Sequence, residues 1–122
     1  MAKNKGDGST RRHRVATEAV LAGRNPAEQH GFVNTPIYRG STVIAPTVEQ
    51  FLSKSARFVY GRRGTPTTEA LANAITTLEG GAGTALTSSG LSAITAALLA
   101  VARAGDHVLI SDGVYGPTRH FC

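Results

Sequence analysis

From Thr65 onward the chain alternates regularly between helix and strand patterns, and this constrains its fold more than any other feature. Thr65 as N-cap and Pro66 at the first helical position open "TPTTEALANAITTLEGG", in which Leu71, Ala74, Ile75 and Leu78 share one face and Gly80 and Gly81 close the helix. A short strand pattern, "TALTS", leads through "SSG" into the apolar helix pattern "LSAITAALLAVARAG", with Gly105 as its expected terminator. "DHVLISD" then reads as a second buried strand. Strand, helix and strand at this spacing predict a right-handed parallel unit, and therefore an α/β fold.

The preceding sequence has a different texture. "ATEAVLAGR" predicts a short helix capped by Thr17 and ended by Gly23. Residues 25–46, broken by Pro26, Pro36 and Pro46, read as an extended arm. Thr47 with Gln50 forms a capping-box pattern ahead of Val48, Phe51 and Leu52. The expected division is a disordered basic tail over 1–16, an arm over 17–64, and the beginning of an α/β domain over 65–122. "YGPTRHFC" reads as a helix just starting. Two parallel strands cannot form a sheet with both faces covered, so the sequence has the pattern of an N-terminal portion of a longer protein.

Charge argues against nucleic acid. The net charge is +5, but residues 1–14 hold Lys3, Lys5, Arg11, Arg12 and Arg14 against Asp7 alone, and the rest balances eight basic residues against seven acids. A solvated tail explains the basicity better than a basic binding face on the folded part. A non-catalytic nucleic-acid-binding module using that tail is the rival from another functional class. No apolar run reaches the length of a membrane span, and no signal-peptide pattern opens the chain, so no membrane partner is expected. One cysteine, Cys122, excludes an internal disulfide and suits a cytoplasmic protein, and the four histidines show no metal-ligand spacing with it.

Three segments have chemistry beyond packing. In "VYGRRGTPTTEAL" paired arginines stand between glycines ahead of a helix, an arrangement suited to phosphate or carboxylate, although a solvated loop would look the same. "TSSGLSA" places Gly90 where a strand passes into a helix. Free backbone N–H groups and the helix dipole favour an anion there, and an ordinary serine-capped helix is the alternative. "SDGVYGPT" follows the second strand pattern and puts Tyr115 at the same sheet edge as Gly90, where a flat ring could stack. A dinucleotide fingerprint fails at Leu86, and no glycine–lysine pair marks a P-loop.

Together and in this order, "YGRRGTPT", "LEGGAGTALTSSGLSAI" and "GDHVLISDGVYGPTRHFC" resemble the trans-sulfuration, Cys/Met-metabolism family of pyridoxal-phosphate enzymes. The resemblance runs from about Thr17 to Cys122 and implies a fold-type I, aspartate-aminotransferase-like α/β domain. It implies pyridoxal 5'-phosphate as cofactor and a homo-oligomer, dimer or tetramer, with a site shared between subunits. Tyr60 and Arg62 match the tyrosine and arginine that reach a neighbouring subunit's cofactor phosphate. Gly90 and Leu91 match the backbone donors that hold phosphate in their own subunit. Tyr115 matches the tyrosine stacked on the pyridine ring, with a proposed part in proton transfer. "YGRRGTPT" and "YGPTRHFC" point within the family to a carbon–sulfur lyase of methionine biosynthesis that cleaves cystathionine to homocysteine, pyruvate and ammonia. The γ-synthase, γ-lyase and sulfhydrylase members are the alternatives. The family's cofactor-holding lysine has no counterpart, since Lys3, Lys5 and Lys54 lack its context, so the chain alone is expected to be inactive.

Overall fold

A computed structural model describes residues 13–122, so the first twelve residues of the expected basic tail lie outside it. The chain divides into two compact units, Met1–Thr84 and Ala85–Cys122.

The first unit begins with α1 (Val15–Leu21), followed by a 3-10 turn at Pro26–Glu28, α2 (Val48–Ser53) and α3 (Pro66–Glu79). Thr17, expected as the cap of α1, lies inside the helix instead. Its N–H and that of Glu18 both donate to the Arg14 carbonyl, at 2.8 and 3.0 Å, so the helix starts three residues earlier than the hydroxyl suggests. Gly23 (φ +75°) turns the chain out of α1, and a β-carbon there would run into the Ala70 carbonyl of α3, which α1 packs against. At α2 the Thr47 hydroxyl accepts from the Gln50 N–H at 3.2 Å, one arm of the expected box. The Glu49 carboxyl in that first turn is held below its ordinary pKa, chiefly by its own backbone N–H and then by the Thr47 hydroxyl.

α3 follows its sequence pattern closely. Thr65 caps it, Pro66 opens it, and Thr65 and Thr68 form a reciprocal box: the Thr68 N–H donates to the Thr65 hydroxyl at 3.3 Å, and the Thr65 N–H donates to the Thr68 hydroxyl at 2.8 Å. Gly80 (φ +65°) ends the helix in the left-handed region.

In the second unit, α4 (Gly90–Val101) packs against α5 (Gly116–Phe121). The apolar pattern of α4 extends to Gly105, but the helix stops at Val101. The Asp106 carboxylate takes the Arg103 N–H at 2.7 Å and the Asp106 N–H donates to the Arg103 carbonyl at 3.0 Å, which forms a separate turn carrying Gly105 at φ +95°.

The strand expectations have a different outcome. Neither 84–88 nor 106–112 forms a ladder, and the β-pairing among the described residues is an isolated antiparallel bridge between Thr42 and Tyr60. Parallel strands are stable where neighbours pair along both edges and helices cover both faces, and two segments cannot supply that to one another. Burial agrees: among the described residues no hydrophobic side chain is buried, and Leu71 and Leu91 on the apolar helix faces are 53% and 37% exposed. The helices therefore owe their form to caps and local bonds more than to a core.

Candidate functional site

The loop that carries Tyr60 and Arg62 is shaped by backbone contact. The Gly61 N–H donates to the Ser41 carbonyl at 2.7 Å beside the Thr42–Tyr60 bridge, and the Arg63 N–H closes a turn onto the Tyr60 carbonyl at 2.9 Å. A β-carbon on Gly61 would collide with the Gly40 carbonyl, so only glycine allows this approach. The turn sends the two arginines in different directions. Arg62 Nε donates to the Tyr60 hydroxyl at 3.1 Å, and its guanidinium carbon lies 5.3 Å from the centre of the Tyr60 ring. Arg63 instead lines a cavity of about 320 Å³ with Val43, Phe51, Phe58 and Tyr60. Among the described residues the terminal guanidinium nitrogens of Arg62 make no hydrogen bond, so its fork is available to an anion next to a phenolic hydroxyl.

The helix N-terminus in the second unit offers a second kind of donor. Ser89 caps α4: its hydroxyl accepts from the Ser92 N–H at 3.1 Å and shares a 2.9 Å bond with the Ser92 hydroxyl. The Thr87 hydroxyl donates to the Ser89 carbonyl at 2.9 Å, steadying the turn. The cap takes the third helical amide, and among the described residues the Gly90 and Leu91 N–H groups have no acceptor. Space in front of them is open, because a β-carbon on Gly90 would meet nothing within 4 Å. Gly90 also lies outside the positive-φ region, so the backbone conformation does not require glycine there. Free amides and an unfilled cradle at the positive end of a three-turn helix fit a phosphate group.

Tyr115 is the N-cap residue of α5 and is 62% exposed, which leaves its ring free to lie against another flat group. Its setting is fixed by neighbours the sequence motifs did not single out. Arg119 donates to the Asp112 backbone carbonyl and pairs with the Asp112 carboxylate at 2.9 Å, which closes the segment around Tyr115. Tyr60 and Arg62 thus meet one another in the first unit, while Gly90, Leu91 and Tyr115 belong to the second. Among the described residues no group of His, Cys, Asp or Glu could hold a metal ion.

The family model for Cys/Met metabolism PLP-dependent enzymes matches residues 16–122. The chain belongs to this family. The family's cofactor is pyridoxal 5'-phosphate, and membership implies a fold-type I architecture. Among curated relatives, the chain is 51% identical over 108 residues to a putative cystathionine β-lyase of Saccharomyces cerevisiae and 48% identical over 108 residues to one of Rhizobium johnstonii. Each alignment covers 88% of this chain but only 32% and 27% of the relative. A cystathionine γ-synthase of Mycobacterium leprae is 40% identical over 104 residues, 85% of this chain and 26% of its own. The chain therefore spans about a quarter to a third of the length of these relatives. The names of these relatives span more than one reaction.

Proposed function

We propose that this chain is the N-terminal part of a cystathionine β-lyase, with an arm over 17–64 and the first portion of the cofactor domain over 65–122. The segments 84–88 and 106–112 then become strands of an α/β sheet when further strands pair with them. The observation that carries the reading is the presence in one chain of two separate anion-ready groups, the Tyr60–Arg62 fork in the first unit and the Gly90–Leu91 amides in the second, within a family whose cofactor carries a phosphate. Two of the most similar relatives bear the β-lyase name, which favours that member over the γ-synthase.

Each residue then has a defined task. The Gly90 and Leu91 N–H groups hold the phosphate at the end of α4, where the helix dipole adds to their partial charge. Arg62 and the Tyr60 hydroxyl bind the phosphate of a neighbouring subunit in a homo-oligomer, a dimer or tetramer. The exposed Tyr115 ring would hold the cofactor's pyridine ring, and its hydroxyl would move a proton at the substrate α-carbon. When bound, pyridoxal phosphate would supply the electron withdrawal at that carbon that breaking the β carbon–sulfur bond of cystathionine requires. The lysine that attaches the cofactor and the aspartate facing its ring nitrogen come from sequence beyond this chain, and the working protein is cytoplasmic. Among the described residues no helix is long and apolar enough to cross a membrane.

The deciding experiment is product analysis with the full-length protein. Cystathionine should yield pyruvate and homocysteine. Production of 2-oxobutyrate and cysteine would reassign the protein to a γ-cleaving member. The 122-residue chain alone should give neither product, nor stoichiometric lysine labelling after borohydride reduction with pyridoxal phosphate.

A further inference from the structure

The loop bearing Tyr60 and Arg62 hangs between two limbs of chain, and both limbs are tied to the first turns of α3. On one side the Thr67 hydroxyl accepts from the Tyr38 N–H at 2.8 Å and donates to the Pro36 carbonyl at 2.7 Å. This half-buried oxygen thus joins α3 to backbone 31 residues away. That limb continues to Ser41 and Thr42, which hold Gly61 and Tyr60 through the 2.7 Å hydrogen bond and the bridge. On the other side Arg57 pairs with both carboxylate oxygens of Glu69, with Nε 3.2 Å from Oε1, while its remaining nitrogen lies 3.2 Å from Glu28. The pairing with Glu69, followed by that with Glu28, holds the Arg57 guanidinium above its ordinary pKa. Tyr60 lies three residues beyond this clamp.

We propose that Thr67 and Arg57 are positioning residues for the phosphate contact of Tyr60 and Arg62, with the first turns of α3 as a common anchor. This rests on the reading that Tyr60 and Arg62 hold phosphate. A hydroxyl with both of its functions engaged by backbone allows the Pro36–Tyr38 limb one setting relative to α3. A guanidinium in a two-toothed grip on one carboxylate fixes orientation as well as distance. The loop between these anchors arrives with its donors already aimed, so less order has to be imposed when the anion binds.

The test compares pyridoxal phosphate with pyridoxal, which lacks the phosphate, as ligands of the full-length protein. The readout is the ratio of the two affinities by equilibrium dialysis. Thr67→Val keeps the shape and removes both hydrogen bonds, and it should lower the ratio about five- to tenfold by weakening the phosphate form alone. Thr67→Ser should restore the ratio. Glu69→Gln, which leaves the volume unchanged, should lower it independently of Thr67 and gives the same test if Thr67→Val does not fold. Arg62→Lys provides the reference and should lower the ratio about ten- to a hundredfold. If Arg62→Lys lowers the ratio while Thr67→Val and Glu69→Gln leave it unchanged, the positioning role is wrong and the phosphate reading stands. If Arg62→Lys itself leaves the ratio unchanged, the phosphate reading fails. An equal loss of both ligands in the Thr67 and Glu69 variants would mean a structural role only and would overturn the proposal.

Discussion

The two units reach local order by different means. In the first, side-chain hydrogen bonds connect distant segments: Thr67 to Pro36, Arg57 to Glu69 and Glu28, and Gln29 through Thr35 to the Gly23 carbonyl. In the second, the side-chain hydrogen bonds among the described residues are all local, and the longest in sequence joins Arg119 to Asp112, seven residues apart. The first unit therefore carries a tertiary arrangement of its own, although among its described residues no apolar side chain is buried. The second holds a serine-capped helix, α4, packed against the short helix α5, with local side-chain bonds. A geometry that must be aimed, the arginine fork, lies in the unit with long-range bonds. A geometry that needs only a helix end, the free amides, lies in the unit without them.

The sharpest way to break this comparison is to give each glycine a side chain. Gly90→Val in the full-length protein should leave the fold intact, since the added atoms enter open space, yet reduce pyridoxal phosphate binding by at least tenfold. Ser92→Ala should do much less. Equal effects of the two substitutions in a cofactor titration would remove Gly90 from the site. Gly61→Ala should do the reverse, destabilising the loop by about 1–3 kcal/mol because the Gly40 carbonyl must move. Thermal unfolding of the apoprotein measures it, and a melting temperature equal to that of the parent would show that the arm gives way freely.

A smaller effect separates the helix caps. Thr65→Ala removes a reciprocal box and Ser89→Ala a single cap, each worth about 1 kcal/mol of helix stability. Thr65 leads directly into the anchor turn, so its loss should also loosen the arm, visible as faster proteolysis between Tyr38 and Arg62. Ser89→Ala should leave that cleavage rate unchanged. Identical proteolysis of both variants would mean that the arm is not tied to the start of α3.

Sequence reading succeeded where a structure is built from neighbouring residues. Thr65, Pro66 and Gly80 marked α3 because cap, first turn and terminator act within four residues of one another. A serine cap ahead of α4 was legible for the same reason, and the structure assigns it to Ser89. Thr17 misled because a hydroxyl inside a first turn looks like a cap until the carbonyl that closes the turn is known, and that carbonyl belongs to Arg14. The end of α4 was missed because the Asp106 carboxylate competes for the backbone from outside the apolar pattern. Arg57 and Thr67 escaped altogether, since nothing in their spacing shows that one finds Glu69 and the other Pro36 and Tyr38. "DHVLISD" has strand composition, but a strand is a relation between segments, and composition cannot supply the second one.

The free amides at the start of α4 also make the chain its own sensor. An N–H pointing into open space trades its proton with water quickly, and it slows when an oxygen settles on it. The Gly61 amide, already spent on Ser41, should exchange slowly whether or not an anion is present, and serves as an internal clock. In deuterated buffer the Gly90 and Leu91 signals, timed against Gly61, would register phosphate arriving without any turnover, colour or covalent mark.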